Sequence, residues 1–217
     1  MYLKQNLALR LRLEYPDQPI NLGKFLVAAE KGNYSVPLRG CPRIPPFIQL
    51  RQYQQQAVAN WFANNGRGTL KMATGAGKTI TALAIACELY QKISLQVLLV
   101  VCPYQHLVTQ WARECEKFNL QPILAFENVH TWQSQLATAL YNLRSGNQPF
   151  LTVITTNSTL MGGLQSQLKY FPAKTLIVGD EVHNLGAPRL EQSCRVPHLS
   201  SATLFVCGDT IMSVLTN

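Results

Sequence analysis

Two short stretches carry the side chains best suited to chemistry. In the first, Gly75-Ala76-Gly77-Lys78-Thr79, a small-residue turn leads into a cation and a hydroxyl, with Thr74 at its entrance. Two glycines let the main chain turn tightly so that successive N–H groups point inward. A helix opening at Lys78 would add its positive end, and the combination cradles phosphates. Lys78 would then bridge the β- and γ-phosphates of ATP, and the Thr79 hydroxyl would ligate Mg²⁺. The competing reading is a glycine turn into an amphipathic helix with an exposed Lys and Thr. A bare G-x-G arises by chance about once in a chain this long, but a Lys and a Thr in register make that reading far rarer. Met72 stands where the full G-x-x-x-x-G-K-[ST] pattern has its first Gly.

The second stretch is Asp180-Glu181, adjacent carboxylates that close the apolar run Leu176-Ile177-Val178-Gly179. Open α/β sheets bind their ligands at the C-terminal ends of the strands, which is where this pair falls. Asp180 would hold the magnesium, and Glu181 would orient or deprotonate an attacking water. Taken alone, the pair is equally a solvated acidic turn; the phosphate loop upstream is what gives it a task.

Both stretches need a scaffold, and the texture from residue 50 onward supplies one. Helical patterns alternate with short apolar, β-branched runs, the pattern of parallel βαβ construction. Strands are expected at 69–72, 96–102, 122–126, 150–155, 175–179 and 202–207, and helices at 52–64, 78–90, 105–118, 131–143 and 158–168. The fold class is therefore α/β, a doubly wound, mostly parallel sheet with helices on both faces. Residues 1–48 differ: half of the 12 prolines fall between Pro16 and Pro46. The expected division is a basic, proline-rich arm and linker over 1–48, followed by a domain over 49–217.

Composition bounds the function. The 217 residues are 47% hydrophobic and 14% charged, enough to bury a sizeable core. The net charge of +8 suits a polyanionic partner. The longest apolar run, residues 97–102, is far short of the roughly 20 residues of a membrane span, so no membrane partner is expected. The leucines at 7, 9, 11 and 13 are interrupted by Arg10 and Arg12, which is not the texture of a secretory leader. Six cysteines without C-x-x-C spacing read as small buried hydrophobes of a reduced, cytoplasmic protein. Trp61, Trp111 and Trp132 all fall within expected helices and read as packing residues.

On these residues the chain resembles the superfamily 2 helicases and translocases, specifically their first RecA-like lobe, a P-loop NTPase fold. Residues 72–79 (MATGAGKT) are similar to motif I and residues 180–183 (DEVH) to motif II. Arg51-Gln52-Tyr53-Gln54 resembles the R-x-Y-Q adenine-recognition element, in which Gln54 reads the base edge and Arg51 accompanies it. Residues 100–111 are similar to motif Ia and residues 154–160 to motif Ib. The resemblance implies that Pro103, Gln110, Thr155 and Thr156 line a nucleic-acid groove. Ser201-Ala202-Thr203 resembles motif III, which implies that Ser201 and Thr203 couple nucleotide state to strand binding through His183. The nearest branches are the repair helicase XPB and the restriction subunits of type I and type III systems. They imply double-stranded DNA as the nucleic acid, and DNA-dependent ATP hydrolysis coupled to movement along it.

The pattern also departs from the family. After Ser201-Ala202-Thr203 the expected Pro-x-Arg is replaced by Leu204-Phe205-Val206. The sequence is expected to hold one lobe only, its second RecA-like lobe or a partner subunit being supplied from elsewhere. The isolated lobe should therefore turn over slowly. The alternatives are a nucleotide- or nucleic-acid-binding module without turnover, and an RNA helicase lobe, since no motif here reports on 2′-hydroxyl contacts.

Overall fold

In a computed structural model, the chain is described over residues 39–73, 75–181 and 202–207. Gln52–Ala63 form helix α1, Arg67–Lys71 strand β1, Lys78–Ile93 α2, Val97–Cys102 β2 and Gln105–Lys117 α3. Pro122–Ala125 form β3, Val129–Arg144 α4, Leu151–Thr156 β4, Thr175–Asp180 β5 and Ala202–Cys207 β6. The six strands make one sheet in the order β1-β6-β5-β2-β4-β3. All five pairings are parallel. This is the fold class the alternating texture predicts.

Strands β2, β4 and β5 are buried along all six of their residues, as strands covered on both faces must be. Side chains alternate across the sheet, and on one face Val97, Leu99, Val101, Leu151, Val153 and Ile177 meet Trp132, Leu136, Leu140 and Leu143 of α4. Helix α3 packs against β2, β3 and β4. Asn128 caps α4 by accepting from the Thr131 amide at 3.2 Å, satisfying one orphan donor of the first turn.

Two expectations are corrected. The stretch expected as one helix over 158–168 is α-helical at Asn157–Thr159, π-helical at Leu160–Leu164 and 3₁₀-helical at Gln165–Tyr170. Gly162 and Gly163 fall inside it, where the missing side chains weaken helix preference, and an ideal Cβ on Gly163 would lie 3.7 Å from the Trp132 ring. The proline-rich stretch is also not all linker. Arg39–Ile44 belong with the α/β unit, whereas Pro45–Gln49 do not. The Gly40 and Arg43 amides reach the carbonyls of Asn119 and Phe118, just past the end of α3, at 3.0 and 3.1 Å.

Candidate functional site

Because the strands run parallel, their C-terminal ends share one edge, and the chemistry-bearing loops follow from it. Lys71 pairs with Cys207, and Asp180 with Val206. The glycine loop leaving β1 and the acidic pair closing β5 therefore emerge at nearly the same level, one strand apart. Gly75 and Gly77 adopt φ of +77° and +81°, the left-handed region open to glycine, and Gly77 is the N-cap of α2. The Ala76 amide closes a turn onto the Ala73 carbonyl at 3.1 Å. Lys78 folds back over the loop, its Nζ donating to the Met72 carbonyl at 3.1 Å and the Ala73 carbonyl at 3.4 Å. Thr79 is half-buried in the first turn of α2.

Helix α1 braces this loop. The Gln54 side chain is buried, and its Nε2 donates to the carbonyls of Ala76 and Gly77, both at 3.3 Å. Its Oε1 accepts from the Arg51 amide at 2.9 Å. Arg51 Nη1 donates to the Tyr53 hydroxyl, which in turn donates to the Ala76 carbonyl, each at 2.9 Å. The R-x-Y-Q element thus closes on the outer side of the glycine loop. In this arrangement both amide protons of Gln54 hold loop carbonyls, and one Oε1 lone pair remains for a base edge. Tyr53 is a loop contact that its place in the motif did not reveal. Beside it a cleft of about 500 Å³, lined by Tyr53, Gln56, Ala57, Asn60, Lys71 and the loop residues Met72, Ala73 and Ala76, lies within the range of ligand pockets.

At the end of β5, the Asp180 side chain is buried and accepts one hydrogen bond on each oxygen. The Glu181 amide donates to Oδ1 at 3.0 Å, and the Trp111 indole donates to Oδ2 at 2.7 Å. Burial raises the Asp180 pKa, with the Glu181 charge adding to it; the Trp111 and Glu181 hydrogen bonds and the Lys78 charge pull it back down. The two motifs emerge on the same sheet edge, and Lys78 itself bonds the Met72 and Ala73 carbonyls. An all-oxygen donor set of a buried carboxylate with unused lone pairs and a threonine hydroxyl one loop away fits a hard divalent cation such as Mg²⁺. Glu181 sits at φ +46°, a conformation non-glycine residues rarely adopt and one concentrated at functional sites. Trp111 packs as expected, buried on α3, and it also supplies a hydrogen bond to Asp180.

The residues expected at the nucleic-acid groove differ in exposure. Pro103 is half-buried and Gln110 exposed. Thr155 is fully buried, its hydroxyl donating to the Ala125 carbonyl at 2.7 Å, and Thr156 is buried as the N-cap of the next turn, accepting from the Thr159 amide at 3.3 Å. Ser158, just past the end of β4, is exposed, and after β2 Tyr104 stacks on His106 with ring centroids 5.6 Å apart. Thr74, His183 and Ser201 lie outside the described residues. Thr203 lies in β6, in register with Arg67 and Ile177.

The model of the family described as type III restriction enzyme, res subunit, matches residues 47–205, well over half of the chain. The chain belongs to that family. Its architecture is that of a superfamily 2 helicase first lobe, a helicase-like ATPase lobe. An uncharacterized protein of Mycobacterium tuberculosis (strain ATCC 25618 / H37Rv) is 30% identical over 140 residues, 63% of this chain and 21% of its own length. The DNA 3'-5' translocase XPB2 of Sulfurisphaera tokodaii is 39% identical over 77 residues, covering 36% of this chain and 16% of that protein. The type ISP restriction-modification enzyme LlaGI, solved as a nuclease-deletion mutant with a DNA substrate mimic, superposes with a TM-score of 0.57 at 22% identity, over 75% of this chain and 18% of that one. The chain thus spans about a fifth of the length of these relatives. Among the described residues no helix is long and apolar enough to cross a membrane.

Proposed function

We propose that this chain is the nucleotide-binding lobe of a DNA-dependent ATPase of superfamily 2, of restriction or repair type. The observation that carries the reading is that the glycine loop and the acidic pair leave the sheet at one edge, the loop braced by Tyr53 and Gln54. ATP would place its phosphates against the amides of the 74–79 loop and its base toward Gln54 and the adjoining cleft. Lys78 would leave the Met72 and Ala73 carbonyls for the β- and γ-phosphates. Thr79 and Asp180 would hold Mg²⁺, which supplies charge neutralisation for phosphoryl transfer. Glu181 would orient or deprotonate the attacking water. Pro103, Gln110 and the exposed residues beside them form the rim for nucleic acid.

The name of the XPB2 relative and the DNA mimic held by LlaGI support DNA as the polymer. Movement along it requires a second RecA-like lobe or partner subunit to alternate with this one. Calorimetric titration of the wild-type chain and Lys78→Ala with Mg-ATP tests the reading. Lys78 bonds only two loop carbonyls, so the variant is expected to lose nucleotide binding while its Tm without nucleotide stays within about 2 °C, since surface substitutions usually cost under roughly 0.5 kcal/mol. Equal loss of fold and binding, or no binding by the wild type, would refute it.

A further inference from the structure

The chain has 3 tryptophans, all buried, but their indole N–H groups differ. Those of Trp61 and Trp132 are enclosed without an acceptor among the described residues, so here the ring bulk alone accounts for the residue. Trp111 is equally enclosed, yet its N–H donates to Asp180 Oδ2 at 2.7 Å, across 69 positions of sequence. Packing does not require that bond in this protein, as the other two tryptophans show. Its acceptor is the one buried carboxylate among the described residues.

The Asp180 carboxylate is gripped from two sides. The Glu181 amide holds Oδ1 from the chain itself, but a single hydrogen bond leaves the carboxylate able to tilt about that contact. The indole, held in place because α3 packs on β2, β3 and β4, removes that freedom. A donor and an acceptor that share a rigid neighbour keep their geometry without reorganisation, which is how supporting residues set the direction of a metal-facing group.

Resting on the nucleotide-site reading above, we propose that Trp111 is the positioning residue of the acidic motif: its indole N–H presets the Asp180 carboxylate for the metal that accompanies the nucleotide. The role belongs to the N–H and not to the ring. Replacing the indole by a benzyl group keeps most of the bulk and removes the donor, leaving Oδ2 free to swing.

The test separates metal-dependent from metal-independent nucleotide affinity. ATP binding to the wild-type chain, Trp111→Phe and Trp132→Phe is measured by calorimetry, with excess Mg²⁺ and again with EDTA. In Trp111→Phe the strengthening of binding by Mg²⁺ is expected to fall about 10- to 100-fold, the usual cost of losing such a supporting bond. Affinity in EDTA is expected to stay within about twofold, because the amides and Lys78 are untouched. Trp132→Phe is expected to match the wild type in both conditions. Unchanged Mg²⁺ dependence in Trp111→Phe, or the same loss in Trp132→Phe, overturns the positioning role. Should Trp111→Phe fail to fold, the double variant Trp61→Phe/Trp132→Phe decides instead, since Trp111 is then its sole indole. Its emission is expected to shift with Mg-ATP and not with ATP in EDTA, and an identical spectrum in both overturns the proposal. If the wild type binds no nucleotide under any condition, the nucleotide-site reading itself fails and takes this inference with it; if it binds but Trp111→Phe behaves alike, only the positioning role falls.

Discussion

Gln54 illustrates how much one side chain can do at a loop. Its amide satisfies two carbonyls and one amide from an almost fully buried position. Gln54→Ala leaves those groups unsatisfied, at roughly 1–3 kcal/mol for a buried polar group. The expected outcome is a Tm lower by several degrees together with weakened Mg-ATP binding; a normal Tm with normal affinity would show that the loop holds itself. Asp180 behaves in the opposite sense. Burial raises its pKa above the ordinary carboxyl value, the Glu181 charge adds to this, and Trp111, the Glu181 amide and Lys78 oppose it. The folded state then holds its proton more tightly than the unfolded chain, so stability falls as pH rises from the ordinary carboxyl value through the raised one. Asp180→Asn is expected to flatten that loss. Its side chain keeps a single acceptor oxygen, so one of the two bonds to the carboxylate is lost and its Tm in the absence of metal should fall by no more than about 4 °C, or roughly 1 kcal/mol in a domain of this size, while Mg²⁺-dependent nucleotide binding drops. A loss of stability with rising pH as steep as that of the wild type would mean that Asp180 does not carry it.

At the scale of elements, the glycine loop is a junction that admits little change. Gly77 ends the loop and begins α2 at φ +81°, and a Cβ there would approach Gln54 Nε2 to 2.5 Å. Gly77→Ala therefore combines left-handed backbone strain, of order 1–3 kcal/mol, with displacement of the bracing amide. Loss of Mg-ATP binding and a Tm reduced by several degrees are expected, and a variant that binds normally would show that the loop reshapes freely. The elements themselves were legible because their signals are local. Strands β2, β4 and β5 are apolar runs long enough to be fully buried, and the 202–207 strand was expected at the bounds it has. What the sequence concealed depends on contacts between distant elements. Thr155 and Thr156 are polar residues at the end of a strand beside the ligand edge, so they read as groove residues; only the neighbouring Ala125 carbonyl and the following turn show where their hydroxyls go. Trp111 lies in an amphipathic helix whose inward face calls for bulk, and nothing along α3 announces a carboxylate 69 residues away. The 158–168 stretch failed for a local reason: Gly162 and Gly163 allow the backbone to overwind and underwind within one segment.

For the whole molecule, charge and architecture bear on the same question of what the lobe does alone. Residues 1–51 hold eight basic and three acidic side chains, so most of the net +8 lies in the first quarter of the chain. That distribution favours a polyanion without contributing to hydrolysis. Within the matched family region the described residues bring one glycine loop, ending in Lys78, and one acidic pair to one sheet edge. Phosphoryl transfer places charge on the equatorial oxygens of the transferred group, and an arginine supplied from a facing lobe or partner accelerates P-loop enzymes by about 10³- to 10⁵-fold. The 217-residue chain by itself is therefore expected to bind Mg-ATP but to hydrolyse it slowly, with DNA raising the rate little. Adding a facing lobe with its arginines, fused or in trans, should raise the rate constant by about 10³-fold or more. Phosphate release under single-turnover conditions, with chain in excess over ATP, measures the chemical step without product release. A rate for the chain alone that the added lobe cannot increase would place the whole hydrolytic apparatus in these residues and remove the need for a partner.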